Sequence, residues 1–134
     1  MGTEIPSEKE WNEYDVLEWE NGRREELTEF FSKLSSLYAS YPSLHKNDFD
    51  SRFFRFTEKE NDECLFIFER LSDDGEKVII ALNFSDEKVS KKIILSEDDE
   101  ILISSGKAEI TRTKTMATLK LGKLSSAVIG KKYN

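Results

Sequence analysis

Apolar residues along this chain follow two periods, and the change falls just past Pro42. Before it they recur at Leu27, Phe30, Phe31, Leu34, Leu37, Tyr38 and Tyr41, the three-and-four spacing of one face of a helix. Asn21-Gly22 supplies the entry, with Asn21 as N-cap. Glu25 and Glu26 in the first turn suit the positive end of the helix dipole. Pro42 closes the helix, because it has no N–H to donate and pushes Tyr41 out of the α region.

Beyond Pro42 the pattern is that of short strands and turns. Strands are predicted at 52–57, 63–71, 77–84, 89–95, 100–104, 107–112, 115–121 and 124–131. Asp73-Asp74-Gly75 is a turn signal that makes a hairpin of the second and third. The third strand is apolar on both faces, with Val78, Ile80, Leu82 and Phe84 on one and Ile79 and Ala81 on the other. Such a strand is expected to be central and covered on each side. The fourth puts Val89, Ile93 and Leu95 on one face and Ser90, Lys92 and Ile94 on the other. The fold class that follows is mainly β, an antiparallel β-sandwich of about eight strands and Greek-key type, preceded by one long amphipathic α-helix. No internal repeat or low-complexity tract interrupts it.

Charge narrows the partners. The net charge of −7 and the acidic pI argue against nucleic acid, which demands clustered Lys and Arg. Lys91-Lys92 and Lys131-Lys132 are pairs and not a stripe. No apolar run approaches bilayer-spanning length, and residues 1–20 lack the apolar centre of a signal peptide, so no membrane partner is expected.

Candidate chemistry is sparse. Cys64, the only cysteine, alternates with Phe66 and Phe68 and reads as a buried small hydrophobe. His45 is the only histidine, so a zinc site or a His-activated nucleophile would rest on one ring. Acidic pairs stand at Asp48/Asp50, Asp73-Asp74 and Asp98-Asp99. A glycosidase site needs two carboxyl groups about 5–10 Å apart, one with a raised pKa. Asp73-Asp74, before a turn glycine, and Asp98-Asp99, between two strands, sit instead where aspartate serves turn geometry. Structural calcium is the one cofactor such loops suggest, but EF-hand spacing is absent, so none is expected and no metal ligands are assigned. Trp11, Tyr14 and Trp19 crowd an acidic, aperiodic stretch, where exposed aromatics usually have a packing or binding reason.

Four pieces of the chain, in order, resemble one family. Gly2-Thr3-Glu4 resembles a "G-x-E" and Asp15-Val16-Leu17-Glu18-Trp19 a "dpldW". Phe30–Tyr38 closed by Tyr41-Pro42-Ser43-Leu44 is similar to "kLixLRxxxPaL", and Val78–Ser85 to "vvvlNfS". The series resembles the end of an alpha-amylase superfamily glycoside hydrolase (family 13). There the last loop and helix of a (β/α)₈ barrel lead into a C-terminal all-β domain. The sequence departs from the pattern at Leu37-Tyr38, where many members have Leu-Arg. Branching enzymes of the superfamily often have Leu-Tyr there, which leaves the subgroup open.

The resemblance implies domains at 1–44, a barrel remnant, and 45–134, the β-sandwich. It implies a parent that hydrolyses or transfers alpha-glucans such as starch. The catalytic carboxylates lie on earlier barrel strands, so no catalytic residue is assigned in this chain. Trp11, Tyr14 and Trp19 would then lie on the catalytic face of the parent, as candidate sugar-stacking residues. The implied role is structural or accessory, with the rest of the barrel as partner and alpha-glucan as its substrate. The competing classes are a carbohydrate-binding module and a stand-alone interaction domain. The strand aromatics (Phe53, Phe54, Phe56, Phe66, Phe68, Phe84) are all phenylalanine, which is expected to place them in the core. With the barrel strands missing, the helix stripe is expected to fold onto the sandwich or to pair with a second copy, giving a homo-oligomer.

Overall fold

The computed structural model describes residues 9–10, 12–16, 24–60, 64–114 and 116–133. The chain forms two compact units, residues 1–37 and 38–134. The first contains most of helix α1, Arg24–Ser40. Its N-cap, expected at Asn21, lies outside the described residues. Glu25 and Glu26 stand in its first turn, as the dipole favours. Lys33 donates to Glu29 one turn earlier at 2.6 Å, which holds that carboxyl below its ordinary range. No residue of α1 is buried; Leu27, Phe30, Phe31, Leu34 and Leu37 are half-covered. The helix ends as the proline dictates: Tyr41 is extended (φ −113°, ψ 100°), and Pro42 opens a short 3-10 turn, Pro42–Leu44.

The second unit holds eight strands among the described residues. They are β1 (Phe54–Glu60), β2 (Leu65–Leu71), β3 (Lys77–Asn83), β4 (Val89–Ile93), β5 (Asp99–Ser105), β6 (Ala108–Arg112), β7 (Ala117–Leu121) and β8 (Ser125–Lys131). Five form one sheet in the order β1-β2-β3-β8-β5, and three form another in the order β4-β7-β6. All pairings are antiparallel. Between β3 and β6 the chain changes sheet at each connection, so β3 finds its second neighbour only in β8.

The core lies between the sheets and is aliphatic. Leu65, Ile67, Ile79, Ala81, Ala127 and Ile129 meet Ile93, Ala117, Leu119 and Leu121. Val89, Leu95, Ile101, Ala108 and Ile110 close its margins. The alternation of buried and half-buried residues along β2, β7 and β8 follows the two-residue period of a strand.

Two connections show why the turns form where they do. In the β2–β3 hairpin, Gly75 takes the left-handed conformation (φ 87°), and Asp74 binds the Ser72 hydroxyl and accepts from the Glu76 amide. After β3, buried Asn83 donates to the carbonyls of Glu87 (2.8 Å) and Gly122 (2.7 Å). Its oxygen accepts from the Ser85 amide (3.1 Å) and hydroxyl (2.8 Å). Every bond a carboxamide of this orientation can make is satisfied, which is what permits a polar side chain at that depth.

Three expectations need correction. Cys64 is not buried: it is exposed and left-handed (φ 52°), one residue before β2 starts. The strand predicted at 52–57 starts later, because Asp50 caps a 3-10 turn at Ser51–Phe53 by accepting from the Arg52 amide. The phenylalanines do not fill the core. Phe54, Phe56 and Phe84 are exposed, and Phe53, Phe66 and Phe68 are half-buried.

Candidate functional site

The side chains of β2 and β3 that point away from the core assemble the most unusual surface of the second unit. Registers place Phe56 opposite Phe68, Phe68 opposite Ile80, Ile80 opposite Val128, and Val128 opposite Ile103. One apolar row therefore crosses all five strands of the larger sheet. A second row beside it runs by register from Lys59 through Phe66 and Leu82 to Ser126 and Ser105. A bulge between Ile101 and Ile103 brings Leu102 near Gly130 and Val78.

Aromatic rings gather at the β1 side of this face. Phe54, Phe56 and Phe68 meet with centroids 5.0–5.8 Å apart, and Phe66 meets Phe84 at 6.0 Å. Edge-on and tilted geometries such as these are the favoured ones for ring pairs. The cluster is nonetheless open to solvent: Phe56 is 46% exposed and Phe84 61%. Phe68, Ile80, Val128 and Ile103 are each half-buried. The expectation that β3 is covered on both sides thus holds on the core side alone.

One end of the face is covered from within the chain. The row Arg70–Val78–Gly130 lies under the turn that follows α1, and Val78 is 0% exposed. Arg70 reaches up to donate to the carbonyls of Ser43 (3.3 Å) and Leu44 (3.4 Å) and pairs with Asp48. Glu76 accepts from the Ser43 amide at 2.8 Å. The Tyr41 hydroxyl donates to the Lys131 carbonyl at 2.8 Å, and burial pushes that phenol above its ordinary pKa. Arginine and glutamate from neighbouring strand ends thus satisfy the backbone of a segment that could not otherwise be buried.

On the core side of the same sheet, Glu69 is the one charged side chain set among aliphatic neighbours of β2. Arg55, its cross-strand partner, binds it, and Lys77 stands 3.7 Å away. A buried carboxylate between two cations is the arrangement of a structural ion cluster.

The residues singled out for chemistry are dispersed. Tyr14 is 87% exposed in a turn where its amide donates to the Asn12 side chain; Trp11 and Trp19 lie outside the described residues. His45 is exposed, its ring 5.3 Å from that of Tyr38. In each acidic pair one carboxylate is bound locally and the other by a cation from elsewhere in the chain. Lys46 bonds Asp73 at 3.0 Å and lowers its pKa; the Ser72 hydroxyl and Glu76 amide lower that of Asp74. Arg52 holds Asp50 at about 2. Asp98 pairs with Lys131, and buried Asp99 accepts from the Ser96 amide at 2.7 Å. Among the described residues no group of three or more His, Cys, Asp or Glu is placed to hold a metal.

The sequence reading missed the outer face because it assigned the phenylalanines inward. A signal was present: Cys64, Phe66 and Phe68 share one parity, while Leu65, Ile67 and Glu69 share the other. Only the register against Ile79 and Ala81 decides which parity faces the second sheet.

Comparison with known proteins places this fold. No protein-family profile matches the chain. A 1,4-alpha-glucan branching enzyme of Francisella philomiragia subsp. philomiragia is 34% identical over 91 residues, 63% of this chain and 14% of that enzyme. The solved debranching enzyme of Nostoc punctiforme superposes with a TM-score of 0.59 at 18% identity, over 80% of this chain and 20% of its own. An alpha-amylase from H. orenii gives 0.58 at 12% identity, over 79% and 20%. The two solved structures speak for the fold alone. The chain spans a fifth or less of the length of each of these enzymes. Its relatives are enzymes of the alpha-amylase superfamily, glycoside hydrolase family 13, in agreement with its motifs. The sequence relatives are, more narrowly, 1,4-alpha-glucan branching enzymes.

Proposed function

We propose that this chain is the C-terminal accessory part of an alpha-glucan branching enzyme. In this reading residues 1–44 are the last loop and helix of the catalytic barrel, and residues 45–134 are a sandwich that covers an apolar flank of that barrel. The observation that carries it is the row Phe56–Phe68–Ile80–Val128–Ile103, apolar across the whole sheet, with Phe56 exposed and the other four only half-buried. A soluble protein rarely leaves so continuous an apolar surface without a partner. The matched segment makes up 14% of one relative and 20% of the other, which supports a partner within the same polypeptide. The role is one of support: the parent's barrel supplies the carboxylates, and the sandwich excludes water from the barrel's flank.

The carbohydrate-binding alternative gains from the exposed rings of Phe54, Phe56 and Phe84. It loses at the centre of the face. Sugar recognition sets polar groups beside its aromatic platform, and the central row has none.

The test is the mass of the native protein that carries the peptide 78–85, read from extracts of the source cells. A mass several times that of this chain is expected. A mass equal to this chain would overturn the proposal. The purified chain is expected to show no turnover of starch or maltooligosaccharides, and measured turnover would equally contradict it.

A further inference from the structure

We propose that residues 131–133 act as a clasp that locks the connector 41–44 onto the larger sheet. This joint is then held from the far end of the sandwich as well as by its own neighbours in sequence. The geometry is a closed circuit. The Tyr41 hydroxyl donates to the carbonyl of Lys131, 90 residues later, at 2.8 Å. The Tyr41 and Tyr133 rings meet at 5.3 Å, with planes inclined by 45°. Glu76 accepts from the Ser43 amide at 2.8 Å, and its carboxylate lies near enough to Tyr133 to raise that phenol's pKa, adding to the effect of burial. Tyr133 thus touches both supports of the segment, the ring at its start and the carboxylate under its third residue.

The clasp explains a detail that packing alone leaves open. Tyr41 and Ser43 are both buried although they sit in a connector, a class of segment that ordinarily runs over the surface. The Ser43 hydroxyl has no hydrogen-bond partner among the described residues, so its burial is imposed by its neighbours and does not itself stabilise the joint. Arg70 holds the carbonyl side of the connector and Glu76 the amide side. Tyr133 stands against the Tyr41 ring and is itself half in solvent, so the clasp can release while the sandwich stays folded.

Amide hydrogen exchange at residues 43–46 reads the joint directly, because the Ser43 amide donates to Glu76 and those of Leu44, His45 and Lys46 to Tyr41 and Pro42. In Tyr133→Ala, exchange there is expected to accelerate at least about tenfold, with protection in β3 and β8 unchanged. Tyr133→Phe keeps the ring and is expected within about threefold of wild type. Unchanged exchange in Tyr133→Ala would overturn the clasp. So would loss of β3 and β8 protection in that variant, since the tail would then hold the sandwich and not the joint. So would release in Tyr133→Phe, since the ring contact would not be the device.

Discussion

The carboxamide of Asn83 donates to the carbonyl of Gly122 across 39 residues of sequence, at 2.7 Å, and pins the turn after β3 to the turn before β8. The same side chain donates to Glu87 and accepts twice from Ser85. The Asn-Phe-Ser portion of the recognised motif is therefore a structural knot: Asn83 and Ser85 tie the turns while Phe84 points to solvent. Asn83→Asp is expected to be worse than Asn83→Ala, because it sets a carboxylate against the Glu87 and Gly122 carbonyls. Each should cost about 2–4 kcal/mol, read as a lowered urea midpoint at constant m. A loss below about 0.5 kcal/mol in both would mean that the knot contributes nothing.

The two faces of the larger sheet should respond differently to the same kind of change. Ile67 lies in the core and Phe56 on the outer row. Ile67→Ala is expected to cost about 2–5 kcal/mol through lost burial and a cavity. Phe56→Lys should cost under about 1 kcal/mol in the chain alone, and should reduce self-association in sedimentation. Equal costs would place Phe56 in a packed core.

Two left-handed residues give opposite predictions. Gly106 has a φ of 76°, and a Cβ there would stand 2.9 Å from the Ser125 Cβ, so Gly106→Ala should lower the melting temperature by several degrees. Leu124 is left-handed (φ 45°) and exposed, where a leucine side chain is strained. Leu124→Asn should therefore gain about 0.5–1 kcal/mol. Thermal melts of the two variants check both signs.

Acid should weaken the connector after α1. Asp50 is held at about 2, first by the Arg52 side chain and then by its amide, and Asp73 and Asp74 are also lowered. A carboxyl lowered on folding contributes its stability fully above the ordinary carboxylate pKa of about 4, and loses it as pH falls toward the folded value. The melting temperature should therefore decline between about pH 4 and pH 2, with a shallower decline in Asp50→Asn. An identical pH profile for that variant would show the Asp50–Arg52 pair to be idle, as exposed pairs often are.

Much of this architecture was legible in sequence. The helix stripe, the stop at Pro42, the Asp73–Gly75 hairpin and the β character of all that follows rest on local rules, and the structure obeys them. What was not legible is which side of an apolar strand meets the rest of its own chain. In β2 and β3 both parities are apolar, so period alone cannot separate Leu65 and Ile67 from Phe66 and Phe68. That choice belongs to the crossing between sheets, a long-range property. Cys64 failed for a related reason. It extends an apolar run in sequence, but the chain turns at that residue and the run begins at Leu65. Asp74 and Asp99 accept from amides within three positions of themselves, as turn aspartates do, whereas Asp73 is held by Lys46, a pairing no local pattern announces.

The outer row is the centre of the account, and its coverage in the native protein can be measured directly. In a Cys64→Ser background, cysteine is placed singly at Phe56, on the row, and at Lys120, exposed on β7. The intact native-length protein is then labelled with a maleimide and each peptide read by mass spectrometry. If the row is covered by the rest of the parent, the cysteine at position 56 should label at least about tenfold more slowly than that at position 120. Equal labelling would show that the face is open in the native protein, and the proposed flank contact would fall.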